Sequence, residues 1–143
     1  MSLSVRVAVP SDASRIAELS GVLGYPVDPH VMAERLTRLL PRDDSAVFVA
    51  VDGDRIVGWI HCAEHELLEV GRQCEILGLV IDTSARLGGA GRALVAAAEH
   101  WAAVRGLTQM SVRSNVVRVE SHPFYERLGY TRVKTQHSYR KPL

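Results

Sequence analysis

Arg86-Leu-Gly-Gly-Ala-Gly-Arg92, an R-x-x-G-x-G string, lies between an apolar run, Glu75-Ile-Leu-Gly-Leu-Val-Ile81, and an Ala-rich stretch of helical spacing. Glycines between a strand and a helix let successive backbone N–H groups converge on one point, and the first turn of the helix adds partial positive charge there. Such a cradle grips a diphosphate with few cationic side chains. Arg86, Leu87, Gly88, Gly89, Ala90, Gly91 and Arg92 are therefore the expected contacts of a pyrophosphate-bearing cofactor. A Walker A loop needs Gly-Lys-[Ser/Thr], but Gly91 is followed by Arg92 and Ala93, which disfavours ATP. A dinucleotide fingerprint starting at Gly89 needs Gly or Ala where Leu94 stands, and an acid about twenty positions on. Ser111 stands near that place, and the next acid is Glu120.

Glu75 is an acid in an otherwise apolar strand. Desolvation makes a carboxylate a stronger base, so Glu75 is a candidate proton acceptor; the alternative is a strand-end Glu paired with a nearby Arg. His61-Cys-Ala-Glu64-His65 spells H-x-x-E-H, which binds zinc only on a helix that puts both histidines on one side. Here the residues continue a strand from Ile56, where a period of two puts His61 and His65 on one face and Glu64 on the other, so no metal site is expected. Trp59 and His61 face either an acceptor pocket or solvent. Cys62 and Cys74 are candidates to face each other across neighbouring strands and are expected to be reduced core thiols.

The elements that must hold these residues follow from periodicity. Residues 4 to 9 alternate as a strand; Ser11 or Asp12 can cap a helix through Ile16, Leu19 and Leu23. Tyr25 to Pro29 is a stiff loop, followed by an amphipathic helix through Met32, Leu36 and Leu39 that Pro41 closes. Ala46 to Val51, a turn at Asp52-Gly53-Asp54, and Ile56 to Ala63 form a hairpin. Glu75 to Ile81 is a central strand, and Gly89 to Arg105 a long helix stopped by Gly106. A strand from Thr108 to Arg113, a helix ending near Leu128 and a final strand from Tyr130 to Tyr139 complete one mixed α/β domain over residues 1–143.

Together these strings resemble the GNAT family of N-acetyltransferases, in which strand, R-x-x-G-x-G loop and helix follow in this order. Glu75 stands six residues before Ile81, like the family's fourth-strand Glu before that strand's last cofactor contact. Phe124-Tyr125-Glu126-Arg127-Leu128-Gly129-Tyr130 is similar to the family's F-Y-e-x-L-G-[FY] helix end. Val5 to Asp12 resembles its opening strand and helix start, and Asp52 to Gly58 its central hairpin, so the likeness covers nearly the whole chain. It implies a GNAT-like acyl-CoA N-acyltransferase fold, a central mixed β-sheet flanked by about four helices.

The resemblance also implies roles. Acetyl-CoA is the co-substrate, and its acetyl group goes to a primary amine of a small molecule by direct attack in a ternary complex. The alternatives are a protein N-terminus or lysine as acceptor, or a non-catalytic acyl-CoA sensor, against which the retention of both Glu75 and Tyr125 argues. Glu75 would take the amine's proton, directly or through water. The backbone of Leu79, Val80 and Ile81, freed by a bulge that Gly78 suits, would pair with pantetheine and polarise the thioester; a plain core strand fits the same residues. Tyr125 would protonate the departing thiolate, the other reading being an aromatic that covers the core. Asn115 resembles the family's cofactor-contacting Asn, but its interval to Tyr125 is ten, longer than usual, and Arg118 fills the expected slot. The segment Ser-Asn-x-x-Arg-x-x-x-His-x-Phe-Tyr, which also brings in His122, is like that of aminoalkylphosphonate acetyltransferases. Tyr25, Trp59 and His61 are the expected acceptor contacts.

Composition sets the outer bounds. With 143 residues and 47% hydrophobic content, the chain can build a core without disulfide or metal. The net charge of +1, without a basic run, gives no footprint for nucleic acid. The N-terminus lacks a signal pattern, and no apolar stretch approaches the roughly twenty residues of a membrane span, so a cytoplasmic protein without a membrane partner is expected. A homodimer is compatible with everything above.

Overall fold

The computed structural model describes residues 2–22, 24–86, 88–114 and 121–143. They fall into two units, Met1–Val112 and Arg113–Leu143. The first is built on a five-stranded sheet of β1 (Leu3–Val7), β2 (Ser45–Asp52), β3 (Arg55–Leu67), β4 (Gly71–Ile81) and β5 (Met110–Val112), in that spatial order. Neighbours from β1 to β4 are antiparallel and β5 runs parallel to β4, which makes the sheet mixed. Three helices of this unit, α1 (Ala13–Val22), α2 (Pro29–Leu39) and α3 (Ala90–Val104), cover its faces.

The faces are assigned by alternation. Val47 and Val49 of β2 form a cluster with Ile16 of α1 and Leu36 of α2, against which Trp59 of β3 packs. The opposite face belongs to α3. A Cβ on Gly58 would sit 3.2 Å from Leu94 of α3 and 2.9 Å from the Val80 carbonyl oxygen. Only glycine there lets β3, β4 and α3 close, and Ile60, Cys62, Cys74 and Leu94 are fully buried.

Local signals fix the helix ends. Asp28 caps α2 by accepting the His30 N–H at 2.8 Å, with Pro29 in the first turn, where a missing N–H costs nothing. Gly106 ends α3 at φ 81°, and the Leu107 N–H turns back to the Ala102 carbonyl at 3.0 Å. Asp12 caps differently from the expectation. Its carboxylate reaches back to the Val9 N–H at 2.8 Å across a 3-10 turn, Pro10–Asp12, and takes two hydrogen bonds from Arg6 at 2.8 and 3.0 Å.

Sequence and structure part in three places. β3 and β4 extend beyond their apolar runs into a long hairpin joined at Leu68-Glu69-Val70, through polar residues such as Glu64, His65, Arg72 and Gln73. β5 is shorter than expected. In the second unit, α4 (Ser121–Arg127) ends at Gly129, φ 94°, where the Tyr130 N–H bonds the Tyr125 carbonyl at 3.0 Å. Residues 131–143 then form no helix or strand, so the final strand expected from Tyr130 to Tyr139 is absent. Alternation supplies the period of a strand, but only a ladder partner makes one.

Arg6, hydrogen-bonded to Asp12, holds that carboxyl below the usual carboxylate range, and the Val9 N–H adds to the effect. A depressed value means stability that is complete above the usual carboxylate range and lost as pH falls through the folded value. Asp12→Asn is expected to lower stability at pH 7 by about 1–3 kcal/mol and to flatten the acid-side decline. Urea unfolding as a function of pH checks both.

Candidate active site

β4 carries the candidate groups in order along one strand, and its end leads into the glycine loop. Asp82, just past the strand, accepts the Ser84 N–H at 3.1 Å and so starts a 3-10 turn, Thr83–Ala85. The same carboxylate is held by Arg15 at 2.8 Å and Arg55 at 3.1 Å. The Ser84 N–H and the Arg15 guanidinium keep it ionised, below the ordinary carboxylate range. The loop is thereby pinned to α1 and β3 before the glycines begin. Gly89 occupies the N-cap of α3 at φ 85° and ψ 7°, a left-handed conformation that side-chain-bearing residues adopt at a cost, and no side chain caps the helix. The first intrahelical bond runs from the Ala93 N–H to the Gly89 carbonyl at 3.0 Å. The N–H groups of Ala90, Gly91 and Arg92 precede it, at the positive end of a 15-residue helix. Arg86 and Arg92 are exposed and make no ion pair with a described residue. The structure thus brings together every expected contact of the cradle except Leu87, which lies outside the described residues.

Upstream of the loop, β4 loses one neighbour. Its parallel ladder with β5 consists of Cys74↔Met110, Glu75↔Ser111 and Ile76↔Val112. From Leu77 to Ile81 that edge of β4 pairs with no strand among the described residues, while the other edge continues along β3. At the same point the β3 register shifts: His61 lies opposite Gly78 and Cys62 opposite Ile76, so Leu77 is the extra residue of a bulge and stands 50% exposed. Gly78 flanks the bulge, as expected. It has a second reason to be glycine, since a Cβ there would lie 2.8 Å from the Trp59 ring.

Glu75 is 8% exposed and lies opposite Ala63, on the face that α1 and α2 cover. Its Oε1 is 3.0 Å from Nε2 of His65, a diagonal cross-strand contact. Sequence reasoning put His61 and His65 on one face but did not see this pairing, which depends on the β3–β4 register. Further along the face, Ser45 Oγ lies 3.1 Å from His61 Nε2, and burial pushes the His61 imidazole down, towards its neutral form. Trp59 is half-buried, and its Nε1 is buried without a hydrogen-bond partner among the described residues. Neither His61 nor Trp59 is a solvated strand residue. Tyr25, the third expected acceptor contact, is 60% exposed after α1 and does not join the cluster that packs on this face.

The opposite face separates Glu64 from both histidines. Glu64 accepts from Arg72 at 2.7 Å and from Arg105 at 2.9 Å, tying the hairpin to the end of α3. No group of three or more His, Cys, Asp or Glu that could hold a metal occurs among the described residues. Cys62 and Cys74 are free thiols on that face, and the hydrogen-bonded Cys74 sulfur together with burial pushes the Cys62 thiol up.

In the second unit, Tyr125 of α4 packs edge-on against Phe124, with ring centroids 5.1 Å apart, and against Tyr130 at 5.8 Å. Burial pushes its phenol above the ordinary tyrosine value, so it holds its proton at neutral pH. Asn115 and Arg118 lie outside the described residues.

Relatives with this layout are known. The chain is 28% identical, over 98% of its own length and 94% of the relative's, to an aminoglycoside N(6')-acetyltransferase type 1 of Stenotrophomonas maltophilia. A crystal structure of a Trypanosoma brucei acetyltransferase superposes with a TM-score of 0.81 at 26% identity, covering 98% of this chain and 100% of that one. The fold is also that of the aminoglycoside N-acetyltransferase AAC(6')-Iy, solved with the bisubstrate analogue CoA-S-monomethyl-acetylneamine, at a TM-score of 0.88 and 18% identity over the full length of both chains. Residues 14–130 match the model of the Acetyltransferase (GNAT) family, and with the strand, loop and helix in the order that family uses, the chain belongs to it.

Proposed function

We propose that residues 1–143 form one acetyltransferase domain that moves the acetyl group of acetyl-CoA to a primary amine of a small molecule, by direct attack in a ternary complex. The observation that carries this reading is the layout of β4: a buried carboxyl at Glu75, an edge from Leu77 to Ile81 with no strand partner among the described residues, and a helix start behind Gly89 that no side chain caps. Together these supply a base, a docking edge and an anion site along one line.

When bound, acetyl-CoA supplies the acyl thioester. Ala90, Gly91 and Arg92 direct N–H groups at its diphosphate, and Arg86 and Arg92 add charge. The β4 edge at Leu79, Val80 and Ile81, which pairs with no strand among the described residues, offers peptide groups to the pantetheine arm, and an N–H there polarises the thioester carbonyl. Amines reach the protein as ammonium ions, which have no lone pair. Glu75 takes one proton from the acceptor ammonium, and the freed lone pair forms the N–C bond; as the C–S bond breaks the nitrogen gives up a second proton to water, which leaves a neutral amide. Tyr125, kept protonated by burial, returns a proton to the departing sulfur. Trp59 and His61 line the acceptor side, and the likeness to aminoglycoside N(6')-acetyltransferases supports an aminosugar amine as acceptor.

Thiol release from acetyl-CoA, measured against a panel of aminoglycosides, simple primary amines and aminoalkylphosphonates, tests the reading. Turnover with an amine is expected; binding of acetyl-CoA without turnover of any amine would return the sensor alternative. Glu75→Gln is expected to lower turnover about a hundredfold or more and to leave acetyl-CoA affinity unchanged. Tyr125→Phe keeps the ring packing and deletes only the hydroxyl. It is expected to lower kcat about tenfold at unchanged stability, and to remove an alkaline limb that lies above the ordinary phenol value of about 10. Steady-state kinetics across pH, alongside thermal melts, read both variants.

A further inference from the structure

Asp82 is the residue at which β4 becomes the glycine loop. Its N–H makes a bond back to β3, on the Val57 carbonyl at 2.8 Å. Its side chain then gathers three segments: Oδ1 accepts the Ser84 N–H at 3.1 Å, and Oδ2 accepts from Arg15 of α1 at 2.8 Å and from Arg55 of β3 at 3.1 Å. Arg15 is itself fixed, because its Nε donates to the Ile56 carbonyl at 2.9 Å. From this anchor the chain runs forward in turns. The Ala85 N–H bonds the Asp82 carbonyl at 2.9 Å and the Gly88 N–H bonds the Ala85 carbonyl at 3.1 Å, which delivers the chain to Gly89. We propose that Asp82 is a positioning residue for the cofactor's diphosphate: it holds these turns, and with them the backbone N–H groups that follow Gly88, in the orientation that grips the phosphate oxygens. This rests on the reading of the loop as the diphosphate cradle.

Packing does not supply that orientation. Against the loop lies a cavity of about 390 Å³, lined by Ser84, Ala85, Gly88 and Ala90 of the loop and helix start and by Leu3 and Val57 of the sheet. Thr83, Ser84, Gly88 and Gly89 are exposed, and a Cβ on Gly89 would meet nothing within 4 Å. A segment so thinly packed keeps its shape through its hydrogen bonds, and glycines add to the freedom that has to be removed. An anion site gains affinity when its donors are aimed before the ligand arrives, because their ordering no longer counts against binding. Charge also suits the anchor to its place. A bare carboxylate beside a diphosphate would repel it, whereas two guanidinium partners offset that repulsion. The Asp82 side chain is 14% exposed, so water screens these pairs less than it would on an open surface.

The test compares Asp82→Ala and Asp82→Asn with the wild type in the full chain, using two thioesters. One is acetyl-CoA; the other is S-acetylpantetheine, which keeps the same reacting end and lacks the diphosphate. Ala removes every side-chain bond of the anchor. Asn keeps an oxygen for the Ser84 N–H and gives up the charge that holds the arginines. Asp82→Ala is expected to raise the Kd of CoA, read by calorimetry, and the KM of acetyl-CoA about tenfold, with kcat at saturation within about twofold of wild type. Asp82→Asn is expected to raise both about threefold. Neither variant should alter kcat/KM for S-acetylpantetheine, since that thioester makes no use of the cradle. A merely structural role would lower turnover of both thioesters together. Unchanged affinity for CoA in both variants, or an equal loss of kcat/KM with the two thioesters, overturns the proposal. Should Asp82→Ala fail to give a cooperative thermal melt, Asp82→Asn alone decides. If the wild type uses acetyl-CoA much better than S-acetylpantetheine while the variants bind CoA as it does, only the Asp82 role falls. If the wild type uses the two thioesters equally well, the cradle reading and this proposal fall together.

Discussion

Between Ile76 and Leu77, β4 stops sharing its edge with β5 and inserts one extra residue against β3. A peptide chain seldom leaves backbone donors and acceptors without partners, because each unpaired group costs free energy once water is excluded. Among the described residues the stretch from Leu77 to Ile81 is held in extended form by β3 alone, and the proposed docking of the pantetheine arm uses its other edge. The glycine loop and the buried carboxyl take their places on either side of that parting. The loop begins where the strand ends, and Glu75 belongs to the ladder's last fully paired rungs, where the backbone is most firmly fixed.

The two faces of the sheet divide the work. Under α3 the packing is dry and apolar, with Ile60, Leu94, Cys62 and Cys74 fully enclosed, and the ionic group there, Glu64 with Arg72 and Arg105, sits at its margin. The face below α1 and α2 accepts polar side chains into partial burial: Ser45 with His61, and His65 with Glu75. Burial raises the stakes of each of these bonds, since the lost hydration must be replaced by a partner of good geometry. Pairing the polar groups on one side lets the other remain a packed support.

What could be read from the amino-acid string follows the range of the interaction concerned. Gly89 and the helix behind it are local chemistry, and their arrangement was legible. So was the opposite placement of Glu64 and His65, a matter of period alone. The His65–Glu75 contact was not legible, because it needs the pairing register of two strands, and the polar residues from Glu64 to Gln73 blurred the hairpin that sets that register. The alternation from Tyr130 to Tyr139 misled for the converse reason: a local pattern was taken for a structure that requires a distant partner.

Gly78 and Trp59 are best regarded as a single volume divided unequally between two strands. The indole occupies the space that a side chain on Gly78 would need, to within 2.8 Å. Any larger residue at 78 would have to arrive together with a smaller one at 59, and such an exchange would move the bulk from β3 to β4 and redraw the floor of the proposed acceptor side without touching the proposed base. Relatives that differ in the shape of the amine they accept would then be expected to trade size between these two positions as a pair, leaving the carboxyl where it is.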